Sequence, residues 1–208
     1  MPKGYWIPHL DVQDMKGFQA YRDTADAAHS RFGSKLLARG GRCEVLEGRM
    51  RARNVLREFN SYDEAHAFYH GPDYSAAHPL REPFSQCDFL IVEGFDGEQP
   101  MRASNAPAPA ALKGYWIVHI DVTDPEGYKP YQAAASAAFS VFGARYLIRG
   151  GQQTVMEGRQ RSRCVVVEFP SYDAALACYR SPEYREAIGL RAGKADFDMV
   201  AIEGVGGK

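Results

Sequence analysis

An internal repeat with a fixed spacing of 110 residues constrains the fold of this chain more than any other feature. Residues 4–12 (GYWIPHLDV) return as residues 114–122 (GYWIVHIDV), and the same register still holds where residues 91–94 return as 201–204. A repeat of this length means that one structural unit occurs twice. The sequence therefore predicts two domains, residues 1–98 and 113–208, joined by a Pro/Ala-rich linker at 99–112.

Composition excludes several classes of partner. The 208-residue chain has a net charge of −1 and charges of mixed sign, which argues against nucleic acid as a partner. No segment approaches the roughly 18 apolar residues of a membrane span, and the N-terminus leads directly into the first predicted strand without a signal peptide. The four cysteines occupy non-equivalent positions in the two copies, so we expect reduced thiols and a cytoplasmic protein.

Each copy reads as strand, helix, strand, strand, helix, strand. Residues 115–122 alternate as a strand does, and Asp124 followed by proline is typical of a helix start. Gly143 is placed to end that helix, while Ser171 and Ser181 are placed to begin the later ones. The strand beginning at residue 146 is expected to bend at Gly150 and to continue toward residue 158.

This order predicts an α+β fold of two ferredoxin-like βαββαβ domains. In each domain a four-stranded antiparallel sheet has both helices on one face. The other face would be left uncovered, so the two sheets are expected to pack against each other. The sequence thus predicts an intrachain pseudo-dimer, a dimeric α/β barrel made by one chain. A further homo-oligomer is compatible with this arrangement.

Several motifs resemble domain-of-unknown-function family 1330, which belongs to the dimeric α/β-barrel superfamily. The likeness covers essentially all of both copies and implies the ferredoxin-like fold. Members are usually single domains that dimerise, and related branches include cofactor-independent oxygenases, lactone isomerases and haem-binding enzymes, so the resemblance implies no particular activity. The first copy departs from the pattern around its second helix. The motifs are residues 142–151 (FGARYLIRGG), 156–158 (MEG), 167–171 (VEFPS) and 181–184 (SPEY).

Two histidines in the first strand of each copy are candidates for proton transfer. His9 and His119 lie mid-strand, and an imidazole there can act as general acid or base near neutral pH. Asp11 and Asp121 follow two residues later on the same strand face and could orient the ring. The alternative is a histidine whose hydrogen bonds serve only the packing of the sheet.

Arginines and tyrosines at equivalent positions are candidates for binding a substrate. Arg39 and Arg149 precede the glycine pairs, and a guanidinium in a dry cavity can hold a carboxylate or enolate. Their alternative role is an ion pair with Glu58 or Glu168 on the adjacent strand.

Tyr21 and Tyr131, on the first helix of each copy, could present a phenol to a pocket between helix and sheet. Their alternative role is that of core aromatic residues. Glu47 and Glu157 precede turn glycines, so we expect solvated or turn-capping carboxylates there.

Metal and cofactor sites are not predicted. His66 and His70 have the spacing of metal ligands on a helix, but the second copy replaces both and no third ligand is evident. The sequence also lacks a phosphate-binding glycine loop and a Cys-x-x-Cys motif. We therefore predict a protein without a metal and without a cofactor.

These residues lead to one functional hypothesis and one alternative. The hypothesis is an enzyme that performs cofactor-independent acid/base chemistry of the isomerase, lyase or oxygenase-like kind on an anionic or enolisable small molecule. His119 would transfer a proton, Arg149 would stabilise negative charge, and Tyr131 would position the substrate. The second copy would carry the better-formed site. His9 and Arg39 repeat these roles in the first copy, and the predicted substrate contacts are Tyr21, Asp121, Glu168 and Glu58.

The alternative is a non-catalytic protein that binds a small ligand or assembles through its barrel. The two hypotheses differ in whether these polar side chains point into one cavity. Scattered side chains, each bonded to the backbone or to a neighbour, would favour the alternative.

Overall fold

The computed structural model describes residues 1–206, which form two compact units. The first unit comprises residues 1–39, 51–96 and 151–160; the second comprises residues 40–50, 97–150 and 161 onward. Each unit contains one five-stranded antiparallel sheet together with helices, which confirms the predicted α+β class. Every helix in the described part of the chain is too short or too polar to be a transmembrane segment.

The two repeats contain the same elements in the same order, apart from the second helical region. The first repeat has helices of 9 and 6 residues followed by two 3-10 turns, where the second repeat has helices of 9 and 10 residues. The elements of the first repeat are β1 (Gly4–Val12), α1 (Gln19–Phe32), β2 (Lys35–Arg39), β3 (Cys43–Glu47), β4 (Arg53–Phe59), α2 (Tyr62–His70), α3 (Pro72–Ala77) and β5 (Ser85–Glu93). Those of the second are β6 (Gly114–Val122), α4 (Pro125–Phe142), β7 (Arg145–Arg149), β8 (Gln153–Glu157), β9 (Arg163–Phe169), α5 (Tyr172–Arg180), α6 (Pro182–Arg191) and β10 (Ala195–Glu203).

One strand of each repeat belongs to the sheet of the other repeat. The first sheet has the order β2-β4-β1-β5-β8, and the second has the order β3-β10-β6-β9-β7. The prediction of one bent strand in a four-stranded sheet is therefore wrong. Gly40, Gly41 and Gly150 have φ angles of 70°, 79° and 65°, a left-handed conformation that glycine adopts without the steric cost of a Cβ. The chain changes direction there, and the two strand segments pair in different sheets.

The predicted helix ends of the second repeat are confirmed. The Asp124 side chain accepts a hydrogen bond from the Gly127 amide over 3.0 Å, and α4 ends at Gly143 with φ of 63°. Ser171 and Ser181 likewise accept from the amides three residues on. In the first repeat α1 begins without a side-chain cap and is 14 residues long, against 18 for α4.

Each unit has an aromatic core between the sheet and the helices, centred on a tryptophan. Trp6 is 2% exposed and Trp116 is 1% exposed. The Trp6 indole donates to the carbonyl of Ala65 on α2 over 3.0 Å and meets the Phe89 ring edge to face. Since Trp6 alternates with residues that point to the opposite face of β1, the core and the helices lie on one face of the sheet.

A candidate site between helix and sheet

Each unit contains a cavity between its first helix and its sheet. The first cavity lies under α1 and is bordered by Trp6, Leu10 and Phe89; the second lies under α4 and is bordered by Trp116 and Ile120. The volume open to the centre of a water molecule is about 50 Å³ in the first cavity and about 40 Å³ in the second. A single water needs only about 10–15 Å³ on this scale, so each cavity has room for a small ligand.

Two tyrosines face each other across the wall of each cavity. The hydroxyls of Tyr131 and Tyr184 are 2.8 Å apart in the second cavity, and those of Tyr21 and Tyr74 are 3.4 Å apart in the first. Burial raises the pKa of Tyr131 to about 12 and also raises that of Tyr21. The phenols therefore stay protonated at neutral pH and can donate a hydrogen bond to a ligand.

The first cavity carries more arginine than carboxylate. Arg22, Arg39, Arg53 and Arg57 all line it, and Asp26 is the single carboxylate in its wall. Arg39 Nη1 lies 2.5 Å from Asp26 Oδ1, while Arg57 Nη2 lies 3.7 Å from the same oxygen. Burial, followed by repulsion from Arg39, lowers the pKa of Arg57 to about 10. Positive charge in this cavity is thus only partly compensated.

His29 also lines the first cavity and is neutral there. The side chain is 6% exposed, packs edge to face on Trp6, and shares a 2.9 Å hydrogen bond between Nδ1 and the Ser34 hydroxyl. Burial, with Arg57 and Arg39 nearby, lowers the pKa of His29 to about 2. An imidazole in this state is a dipolar hydrogen-bonding group and not a cation.

The second cavity keeps the tyrosines but has less charge. Arg149 and Arg163 remain, and none of the described residues that line this cavity is a carboxylate. Arg163 Nη2 donates to the carbonyl of Arg149 over 3.2 Å, and the Arg149 guanidinium stacks on the Tyr146 ring at 4.6 Å. At the positions equivalent to Arg22, Asp26, His29 and Arg57 the second repeat has Gln132, Ser136, Phe139 and Val167.

A buried ion pair lies behind each pair of tyrosines. Its carboxylate comes from the strand that the other repeat contributes to the sheet. In the first unit Glu157 of β8 pairs with Arg81, whose side chain is 1% exposed, and also accepts hydrogen bonds from the Tyr69 hydroxyl (2.8 Å) and His78 Nε2 (3.1 Å). In the second unit Glu47 of β3 pairs with Arg191. The predicted solvated role of these glutamates is therefore wrong, because their strands pair in the other repeat's sheet.

The two candidate histidines in the strands lie away from the cavities. Trp6, Pro8 and Leu10 line the first cavity, so His9 points to the opposite face of β1. Its Nδ1 donates to Asn54 Oδ1 over 2.6 Å, and burial lowers its pKa to about 4. His119 is 2% exposed and has the equivalent place on β6. The structure thus brings Arg149 and Tyr131 together, but not with His119.

The predicted acidic substrate contacts also lie outside the cavities. Asp121 accepts from Arg161 Nη1 over 3.0 Å and from the Ser162 amide over 2.8 Å. Glu168 accepts from Arg145 Nε over 2.9 Å.

Glu58 likewise has a partner of its own, because it accepts from the Tyr5 hydroxyl over 3.2 Å. Arg39 pairs with Asp26 of α1. The alternative role predicted for Arg39, an ion pair with Glu58, is therefore wrong.

The remaining candidate metal ligands do not assemble into a site. The rings of His66 and His70 stack at 6.3 Å. Residues 1–206 contain no group of three or more His, Cys, Asp or Glu side chains arranged to hold a metal ion. All four cysteines are free thiols, and the prediction of chemistry without a cofactor stays a prediction.

The sequence did contain a signal for the cavity residues that were missed. Arg22, Asp26 and His29 follow one another at spacings of four and three, which places them on one face of α1. All three positions differ between the copies while the neighbouring aromatic positions are retained. A stripe of titratable residues at positions that the second repeat fills with Gln132, Ser136 and Phe139 indicates a difference in chemistry between the two cavities.

Comparisons with known proteins agree with this architecture. A chlorite dismutase variant from Candidatus Nitrospira defluvii is similar over 96% of this chain and 91% of its own, with a TM-score of 0.55 and 7% identity. An anthrone oxidase-like protein is similar over 99% and 92% (TM-score 0.53, 10% identity). A provisionally named monooxygenase from Fusobacterium nucleatum subsp. nucleatum is similar over 98% and 92% (TM-score 0.55, 11% identity).

At such low identity these likenesses show the fold alone, that of ferredoxin-like dimeric α/β-barrel proteins. No curated protein matches the chain. The profile of the domain of unknown function DUF1330 matches residues 3–95 and again residues 113–205. The chain belongs to the DUF1330 family and carries two copies of its domain in tandem.

Proposed function

We propose that this protein is an enzyme for a small anionic or enolisable molecule, which binds in the cavity between first helix and sheet. Arginines would hold the negative charge of the substrate and of an enolate formed from it. The protonated tyrosines would position the substrate by donating hydrogen bonds. The reaction class is proton transfer at carbon adjacent to a carbonyl, without a cofactor.

The observation that carries the proposal is the excess of arginine in a largely apolar cavity. Four arginines and one carboxylate line the first cavity, and Arg57 is 7% exposed. A buried charge is costly unless it is paired. A bound anion would supply the missing counter-charge, and the same arginines would stabilise charge that develops during the reaction.

Asp26 is the proton acceptor in this proposal. It is the carboxylate of the first cavity, whereas His29 with a pKa of about 2 is too weak a base. Tyr21 lies on the same helix one turn earlier and could deliver a proton to the carbonyl oxygen. The proton-transfer role predicted for His119 thus moves to Asp26, because His119 lies on the other face of its sheet.

The second cavity supports a different candidate function, ligand binding without catalysis. Ser136 replaces the acidic residue and Phe139 replaces the histidine, so its wall offers no carboxylate or imidazole to accept a proton. Arg149 and Tyr131 could still hold a small anion there. The first half would then be the catalytic half, contrary to the sequence-based prediction.

Exchange of carbon-bound protons for deuterium tests the proposal. The full chain is incubated in D₂O with pyruvate, acetoacetate and oxaloacetate, and loss of the α-proton signals is followed by NMR. We expect exchange faster than the buffer rate with at least one substrate. Asp26→Ser, which installs the residue of the second repeat, should slow this exchange roughly a hundredfold, the usual scale for losing a general base.

Asp23→Ser is the matched control, because Asp23 lies on the same helix and is exposed to solvent. It should exchange protons at the rate of the unmodified protein. Exchange that survives Asp26→Ser, or exchange that the unmodified protein does not accelerate with any of the three substrates, would contradict the proposed enzyme.

A further inference from the structure

We infer that the two cavities take anions of different charge: the first takes a short dicarboxylate, and the second takes a monoanion. This inference rests on the proposed function, since it names the substrate class of the same sites. It arises from charges that one repeat has and the other lacks. The DUF1330 match does not assign a ligand to either cavity.

The walls of the two cavities differ in their balance of charge. In the first cavity four arginines less one aspartate leave an excess that two negative groups would bring close to neutrality. In the second cavity Arg149 and Arg163 remain, and the Arg163 guanidinium already donates to a backbone carbonyl. One negative group suffices there.

The positive charges in the first cavity are spread along the strand that lines it. Arg53 and Arg57 lie four residues apart on β4, so their Cα atoms are separated by about 13 Å along the strand. Asp26 contacts Arg39 and Arg57, whereas Arg53 is repelled by Arg22 and Arg39 and only weakly attracted by Asp26. The ion pairs of Asp26 therefore leave the charges of Arg22 and Arg53 without a contacting carboxylate.

One arginine of the first cavity has an unsatisfied hydrogen-bond donor. Arg22 Nε is buried without a hydrogen-bond partner in the described structure. A buried donor left unpaired destabilises the folded protein. A second carboxylate at the Arg22 and Arg53 end would accept from this donor, while the first carboxylate binds Arg57.

The volume of the first cavity limits the size of the ligand. A volume of about 50 Å³ open to the centre of a water molecule corresponds to a few water positions. This space suits a dicarboxylate of three or four carbons and excludes a large aromatic dianion. The aromatic walls around it would exclude water and strengthen each charge–charge contact.

Calorimetric titration of the full chain with malonate, succinate, acetate and inorganic phosphate tests the inference. We expect malonate or succinate to bind to the first cavity at least about tenfold more tightly than acetate, since a dicarboxylate makes a second charge-assisted hydrogen bond there. Arg57→Val and Arg22→Gln install the residues of the second repeat, and each should reduce this preference to within about threefold. Arg31→Gln is the control, because Arg31 lies on α1 but its side chain is 60% exposed.

The outcomes separate the inference from the proposed function. An acetate affinity that equals that of both dicarboxylates and is lost in Arg57→Val would place acetate in the first cavity, overturn the inference and leave the proposed function standing. Phosphate binding more tightly than either dicarboxylate would show a single-centred anion site and overturn the inference as well. If none of the four anions binds, both fail. Thermal melts check the fold of each variant, and two variants at opposite ends of the cavity guard against one that does not fold.

Discussion

The two cavities of this protein share one scaffold but differ in chemistry. Both lie under the first helix of a repeat, both have a pair of tyrosines in the wall, and both have a buried glutamate–arginine pair behind that wall. The first adds Arg22, Asp26, His29 and Arg57, whereas the second has neutral residues at these positions. Scaffold and cavity charge are thus separable here, because the charges sit on side chains that the fold does not require.

The ion pairs behind the tyrosines also differ between the units. Glu157 receives hydrogen bonds from Arg81, Tyr69 and His78, whereas the Tyr179 hydroxyl at the equivalent place donates to the carbonyl of Leu46. The stability of a buried charge depends on its hydrogen-bond partners, and the first ion pair has more of these partners than the second. This difference can be tested by removing each carboxylate in turn.

The largest effect is expected from Glu157→Ala. Arg81 would remain buried without its counter-ion, which typically costs about 3–5 kcal/mol of unfolding free energy. Glu47→Ala should cost less, because fewer groups bond to that carboxylate. Urea denaturation of both variants measures the two losses.

The double variant Glu157→Leu with Arg81→Met provides the control, since removing both charges should restore most of the stability that Glu157→Ala loses. A loss below about 1 kcal/mol for Glu157→Ala would mean that this carboxylate does not stabilise its unit as described, and a larger loss for Glu47→Ala would contradict the predicted order of the two ion pairs.

An intermediate effect is expected from His29→Phe, in the pH dependence of stability. The unfolded histidine takes up a proton as the pH falls through about 6.5, but the folded one does so only near pH 2. Acid therefore favours the unfolded state throughout that window. From pH 7 to pH 5 this histidine should remove about 2 kcal/mol of stability, a loss that His29→Phe abolishes.

The second repeat shows that a phenyl ring fits, because Phe139 packs edge to face on Trp116 with 5.6 Å between ring centres. His9, with a pKa of about 4, adds acid sensitivity of the same sign and is present in both proteins. Exposed His70→Gln is the control and should titrate like the unmodified protein. Parallel stability curves for His29→Phe and the unmodified chain would refute the assignment.

The smallest effect is expected from Pro8→Val. Pro8 cannot donate a backbone hydrogen bond, and the pairing of β1 with β4 is interrupted at Ile7 and Pro8. In the second repeat Val118 pairs with Val165 without interruption. We therefore expect Pro8→Val to raise the unfolding free energy by about 1 kcal/mol, the usual value of one added hydrogen bond.

Denaturation curves measured beside Val118→Pro sharpen this comparison. The reverse change should open the equivalent gap in the second sheet and destabilise the protein. If Pro8→Val is neutral while Val118→Pro is costly, the interruption in the first sheet has a cause other than the missing donor.

Much of the fold follows from local signals in the sequence. The 110-residue repeat gives the number of domains, and Asp124, Ser171 and Ser181 place three helix starts because a side-chain oxygen must satisfy the first free amides. The exchange of β3 and β8 could not be read in this way. Gly150 indicates that the chain turns, but the partner strand is set by hydrogen bonds between residues far apart in sequence.

The candidate site was predictable only in part. Arg39, Arg149, Tyr21 and Tyr131 line the cavities because they fall on the helix-facing side of their elements. His119 attracted attention as a titratable residue in a strand, but strand alternation puts it on the other face.

Asp26 and His29 carry no motif of their own. Their importance follows from Arg39 and Arg57, which approach them only in three dimensions.

The strand exchange also sets an order of events during synthesis. The first unit is complete once residue 160 has emerged, because β8 is its last strand. β3 can pair with β10 only after β10 has been synthesised. β10 lies roughly 150 residues downstream, and synthesis of that length takes about 10 to 30 s at ordinary rates of translation. A growing chain would thus carry a closed first unit with one exposed strand, Cys43–Glu47, which stays unpaired until β10 has been synthesised.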